Sequence, residues 1–85
     1  MSLDDNVVDR GIREWKGFQE SLRIEDRERF KQMMNFAYKY AFSIQAMPRY
    51  AQDLALLLSL VFDQHKTIEW LKKENERLKK KADLL

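Results

Sequence analysis

The stretch Asp53-Leu54-Ala55-Leu56-Leu57-Leu58-Ser59-Leu60-Val61-Phe62, continued by Asp63 to Leu85, decides the fold. With Leu54 at position a, a heptad runs through it unbroken. Leu54, Val61, Ile68, Asn75 and Ala82 fall at a; Leu57, Gln64, Leu71, Leu78 and Leu85 fall at d. A seven-residue repeat keeps one stripe facing a partner helix, because slight under-winding to about 3.5 residues per turn holds a and d in register. β-Branched Val61 and Ile68 at a, with Leu71 and Leu78 at d, favour two strands. The segment reads as a coiled coil.

Asn75 sharpens that reading. A single Asn in the seam bonds to its symmetry mate in a parallel dimer and is left unpaired in most other registers. The flanking charges agree. In a parallel pair the g residue Glu74 meets the e residue Lys79 of the second strand, whereas an antiparallel pair sets Lys72 and Lys79 against each other. The expected seam is therefore Leu54, Leu57, Val61, Ile68, Leu71, Asn75 and Leu78, in a parallel homodimer.

N-terminal to His65 the segment is apolar nearly all round, with Ser59 the one polar residue between Leu54 and Phe62. A helix of that kind must be covered on several sides. Two zipper strands do not suffice, so other helices of the chain pack around it. On this placement Leu57→Asp is expected to unfold the domain.

Working outward, Pro48 is the one strong stop. It removes a backbone donor, disfavours helix at Met47, and suits the start of the next helix. Upstream, Phe30, Met33, Met34, Ala37, Ala41 and Ile44 mark one helical face, and Glu25, Asp26 and Glu28 fall in what would be its first turn. Val8, Ile12, Trp15, Phe18 and Leu22 mark another face, with Asp4 and Asp5 near its start. Gly11 and Gly17 each weaken that first helix by about 1 kcal/mol relative to Ala. The expected helices span about 5–21, 24–44 and 48–66. The short link at 45–47 makes the second and third antiparallel neighbours. Residues 1–66 would form a helical core, and 67–85 a coiled-coil extension of the third helix.

Composition bounds the rest. Eighty-five residues make one small domain with no cysteine to staple it, and such domains commonly gain stability by oligomerising. Two Gly and one Pro leave too little turn chemistry for sheets. The fold class is all-α. No apolar run is long enough to span a bilayer and no signal-peptide pattern opens the chain, so the expectation is a cytoplasmic protein without a membrane partner.

Little in the chain points to catalysis. His65 and Glu69 stand at i,i+4 with Asp63 nearby, but no Glu-x-x-His motif supplies a bundle metal site. Ser21, Ser43, Ser59 and Thr67 lie in no nucleophile motif, and no Gly-rich loop is present for phosphates. The expectation is a non-enzyme without metal or cofactor. Two functional readings remain. The first is an oligomerisation or adaptor module that self-associates and offers a helical surface to a protein partner. Trp70, at c and outside the seam, either packs back beside Trp15 or anchors such a partner. The second is a small nucleic-acid-associated protein. It would use the basic run Lys72, Lys73, Arg77, Lys79, Lys80 and Lys81, with Tyr38-Lys39-Tyr40 and Arg49-Tyr50 interleaving aromatics and cations. A net charge of only +2 forces no polyanion partner, and here the basic residues do not precede the heptads as they do in a basic zipper.

Overall fold

The computed structural model describes residues 6–84; Asp4, Asp5 and the d-position Leu85 lie outside that range. All regular structure among the described residues is helical. In order it comprises α1 (Val7–Glu14), α2 (Lys16–Ser21), α3 (Ile24–Asn35), a 3-10 segment (Phe36–Tyr40), α4 (Ala41–Gln45), a short 3-10 turn (Arg49–Ala51) and α5 (Gln52–Asp83). The protein is all-α.

Asn6 starts the first helix. Its side chain accepts from the backbone of Val8 at 2.8 Å and of Asp9 at 3.0 Å, and the Asp9 carboxylate accepts from Asn6 N–H in return. That reciprocal cap satisfies backbone donors that a helix start otherwise leaves free. Val7, Val8 and Gly11 then turn inward. Where the sequence suggests one helix over 5–21, the chain bends at Trp15, with φ −95° and ψ 6°. The bend divides the labour: α1 lies against α4 and α5, while α2 lies against α3. Trp15 meets Phe18 edge-on at 6.0 Å, and Phe18 meets Phe30 of α3 at 5.3 Å.

The second expected helix, 24–44, is also divided. α3 begins with Glu25 and Asp26 in its first turn, where the helix dipole favours acids. Its continuation tightens to 3-10 winding from Phe36 to Tyr40. With three residues per turn, Ala37 and Tyr40 eclipse each other. Ala37 becomes fully buried, and Tyr40 reaches α5 through its hydroxyl. A small side chain at 37 admits the close approach.

After α4 the chain turns at Pro48, whose carbonyl accepts from Ala51 N–H at 2.8 Å. The α-helix proper therefore starts at Gln52 rather than at Pro48, and α5 runs unbroken for 32 residues, about 48 Å at 1.5 Å per residue. Residues late in the middle segment meet the start of α5, as Met47 meets Gln52. Earlier ones meet it farther along, as Tyr40 meets Asp63. The core is small: Val7, Val8, Met34, Ala37, Ile44, Leu56 and Leu60. Gly11 is part of the fit, since a Cβ there would lie 2.6 Å from Leu56 Cδ1. Among the described residues no helix is long and apolar enough to cross a membrane.

Candidate functional site

The two sides of α5 do different things. At about 100° per residue, Gln52, Leu56 and Asp63 point the same way, with Leu60 flanking them. These four are the buried residues of the helix. Leu54, Leu57, Leu58 and Val61 fall on the opposite side and are exposed. The residues that the heptad selects for a seam therefore lie on a side of α5 that the chain's own core leaves exposed.

Each seam residue can be placed. Leu54 and Val61 are 60% and 61% exposed, and Leu57 is 41% exposed. Ile68, Leu71 and Leu78 stand open at 52–53%, and Asn75 is exposed. All lie along one helix, and none is used to close the core. Leu57, expected at the centre of the fold, is not there: the heptad phase that selects it for a partner turns it away from α1 and α4, and Leu56 takes the central position.

Exposure is the general condition of this chain. Seventeen large apolar side chains are exposed among the described residues, against seven buried in the core. The accessible surface is 7131 Å², whereas a folded chain of 10.3 kDa ordinarily shows about 5,400 Å². The radius of gyration is 17.1 Å, against about 12 Å for a compact domain of this length.

The buried side of α5 is fixed by polar ties that the heptad does not announce. Gln52 donates to the Met47 carbonyl at 3.0 Å and accepts from Arg10 of α1. Asp63 accepts from Tyr40 at 2.8 Å and from Lys39 at 3.3 Å. The Tyr40 hydroxyl, with the neighbouring Lys39 ammonium, holds the Asp63 carboxyl below the ordinary carboxylate value, although burial opposes them. On the far side, Lys66 donates to Tyr40 Oη at 3.3 Å and lies over the rings of Tyr40 and Phe62. Those two rings meet edge-on at 5.9 Å. Tyr40 thus packs within its own chain.

Among the described residues, hollows that border α5 include three of note. The largest, about 440 Å³, separates α3 from α5 and is lined by Arg29, Met33, Phe36, Leu60, Gln64 and Ile68. The second, about 260 Å³, lies between α4 and α5 and is lined by residues including Met47, Leu54 and Leu58. The third, about 230 Å³, collects Lys39, Asp63, Lys66, Thr67 and Trp70. Trp70 is 59% exposed there. Trp15 faces Phe18 instead, so the two tryptophans do not pair.

His65 is exposed and forms a 2.8 Å pair with Glu69 on its own helix. No group of three or more metal-ligating side chains stands together among the described residues. The basic residues after Ile68 line the exposed end of α5, where Arg77 is already paired with Glu74 at 2.7 Å.

Sequence reasoning named Asp63 only beside His65 and Glu69 and Gly11 only as a weak point of the first helix, and it gave Gln52 and Arg10 no role. The one available signal was spacing: Gln52, Leu56 and Asp63 share a helical face, so polar residues flank the buried Leu.

No curated protein and no solved structure matches the chain. The model of a domain of unknown function, DUF8156, matches residues 5–84, and the chain belongs to that family.

Proposed function

We propose that the protein is a self-associating module: a parallel homodimer joined along α5, which presents a helical surface to a protein partner. In this reading residues 1–66 form the core, built as an antiparallel helical hairpin with the N-terminal helix against it. Residues 67–85 carry the coiled coil onward. One observation carries the reading. The a and d residues of α5 are exposed together on the side opposite Leu56 and Asp63. A face that contributes nothing to the chain's own core, with a heptad along it, suits a second copy.

Sedimentation equilibrium of the full chain tests this directly, beside the variant Ile68→Asp with Leu78→Asp. Both positions lie outside the buried core, so helicity should persist in the variant. A dimer that becomes a helical monomer supports the reading. A wild-type chain that remains monomeric across the accessible concentrations sinks it.

The alternative, a nucleic-acid-associated protein, would use the basic C-terminal end of α5, and the third hollow adds Lys39, Lys66 and Trp70 to it. A backbone phosphate between the ammonium groups and a base on the indole would use all three. Asp63 offsets one of the two charges, which makes this the weaker reading. Binding to single strands that is negligible even at low salt would eliminate it.

A further inference from the structure

We infer that in the dimer the groove between α3 and α5 is filled by the second copy, through the stripe Phe62, His65 and Glu69 of its α5. The inference rests on the parallel, in-register reading proposed above. It adds a contact of α3 with the opposite subunit, which the heptad alone does not contain.

The argument begins with phase. The groove is lined on the α5 side by Leu60 at g, Gln64 at d and Ile68 at a, so it opens beside the seam on its g side. In a parallel pair the g side of one helix meets the e side of the other. Phe62, His65 and Glu69 occupy b, e and b, a stripe at i, i+3 and i+7 on that e side. In register, each residue stands at the height of its own counterpart. The stripe 62–69 therefore arrives opposite a groove whose α5 wall is 60–68.

Chemistry then matches along the groove. Phe62 touches Tyr40 and Lys66 of its own chain, yet it is still 54% exposed although apolar, and it lies outside the a/d seam. Phe36, on the α3 side, is 48% exposed, and Met33 beside it is half-buried. The dimer brings these incompletely covered apolar surfaces together. At the outer end Glu69 of the second copy approaches Arg29, which lines the groove with its side chain 78% exposed and only a 3.5 Å pair to Asp26. An antiparallel pair would place g against g, and α3 would meet α3 instead.

The absence of cysteine from the chain makes the test clean. Chains carrying Phe36→Cys alone are mixed with chains carrying His65→Cys alone, allowed to exchange, and oxidised mildly. Asn75→Cys, oxidised by itself, reports the parallel zipper separately, because its two copies meet across the symmetry axis. Disulfides in both experiments are expected. If Asn75→Cys links but the mixed pair does not, the zipper stands and the groove is open in the dimer, which overturns this inference alone. If neither links, both the inference and the dimer reading fall.

A charge exchange gives a second readout. Arg29→Glu and Glu69→Arg should each raise the dimer dissociation constant about fivefold, and the double variant should recover most of the loss. Losses that simply add would mean that these two side chains do not meet, and would overturn the placement.

Discussion

Tyr40 donates its hydroxyl hydrogen to Asp63 across 2.8 Å, tying the 3-10 segment to the first half of α5. Lys39 approaches the same carboxylate oxygen at 3.3 Å. The tie fastens α5 to the rest of the chain, so its state should be visible in the stability of the whole protein.

Its pH dependence follows from sign. The Asp63 carboxyl is held below its ordinary value of 3.8 by the Tyr40 hydrogen bond and by Lys39. The folded chain therefore favours the ionised form, and the contribution is present in full above about pH 4. It is lost as pH falls through the lowered folded value. Denaturant titrations of wild type, Tyr40→Phe and Asp63→Asn at pH 7 and at pH 2 would measure this. Both variants should be less stable than wild type at pH 7, and the gap should narrow at pH 2. A gap that is equal at both pH values would mean that the carboxylate charge is not what the tie depends on.

The two leucines at 56 and 57 should separate folding from association. Leu56 is buried against α1, and Leu56→Ala removes core volume at a cost of about 2–4 kcal/mol. In a domain with so small a core that loss should lower the melting midpoint at every protein concentration. Leu57 faces the other way, so Leu57→Asp should leave the chain's own core intact and abolish the concentration dependence of melting that a dimer shows. Thermal melts at several concentrations distinguish the two. Should Leu57→Asp unfold the protein outright, the assignment of its face would be wrong.

This contrast shows what was legible in the sequence. Periodicity revealed the stripe along α5 because polar residues interrupt it after His65. Between Leu54 and Phe62 nearly every position is apolar, so periodicity carries no phase there and cannot say which side meets the chain's own core. That phase is set by Gln52 and Asp63, whose partners Arg10, Tyr40 and Lys39 lie far away in sequence. Apolar patterning counts such residues as solvent-facing, although here their hydrogen bonds let them be buried. The bend at Trp15 was likewise hidden, since the nearby Gly17 lies within α2 rather than at the bend, and no Gly or Pro marks the 3-10 winding at 36–40. Both arise from packing.

Glycine gives the sharpest case of local and tertiary demands diverging. Read locally, Gly11 and Gly17 are equivalent weaknesses in a helix. A Cβ at Gly17 meets nothing within 4 Å, whereas one at Gly11 would press on Leu56 Cδ1 at 2.6 Å. Gly17→Ala should therefore stabilise by about 0.5–1 kcal/mol through helix propensity. Gly11→Ala gains the same propensity but must displace a fully packed Leu, and overpacking of this kind costs about 1–3 kcal/mol. Denaturation midpoints should move in opposite directions. If both variants were stabilised, Leu56 would have room that its burial does not suggest.

Asn75 offers the most specific check on the proposed assembly. Within one chain it is exposed, so nothing in the core explains an amide at this point in the heptad. In a parallel dimer it stands at a, where the pair of amides satisfies itself only when the strands are aligned. Asn75→Leu would exchange that selective contact for apolar burial worth about 1.5–3 kcal/mol per side chain. The melting midpoint should rise while the oligomeric state becomes less uniform, because trimers and shifted registers no longer strand an unpaired amide. Sedimentation velocity and thermal melting of the same sample would report both effects. A variant that stays strictly dimeric with an unchanged midpoint would place Asn75 outside the seam. The heptad would then need a different partner geometry, with the exposed leucines of α5 meeting the second copy by another face.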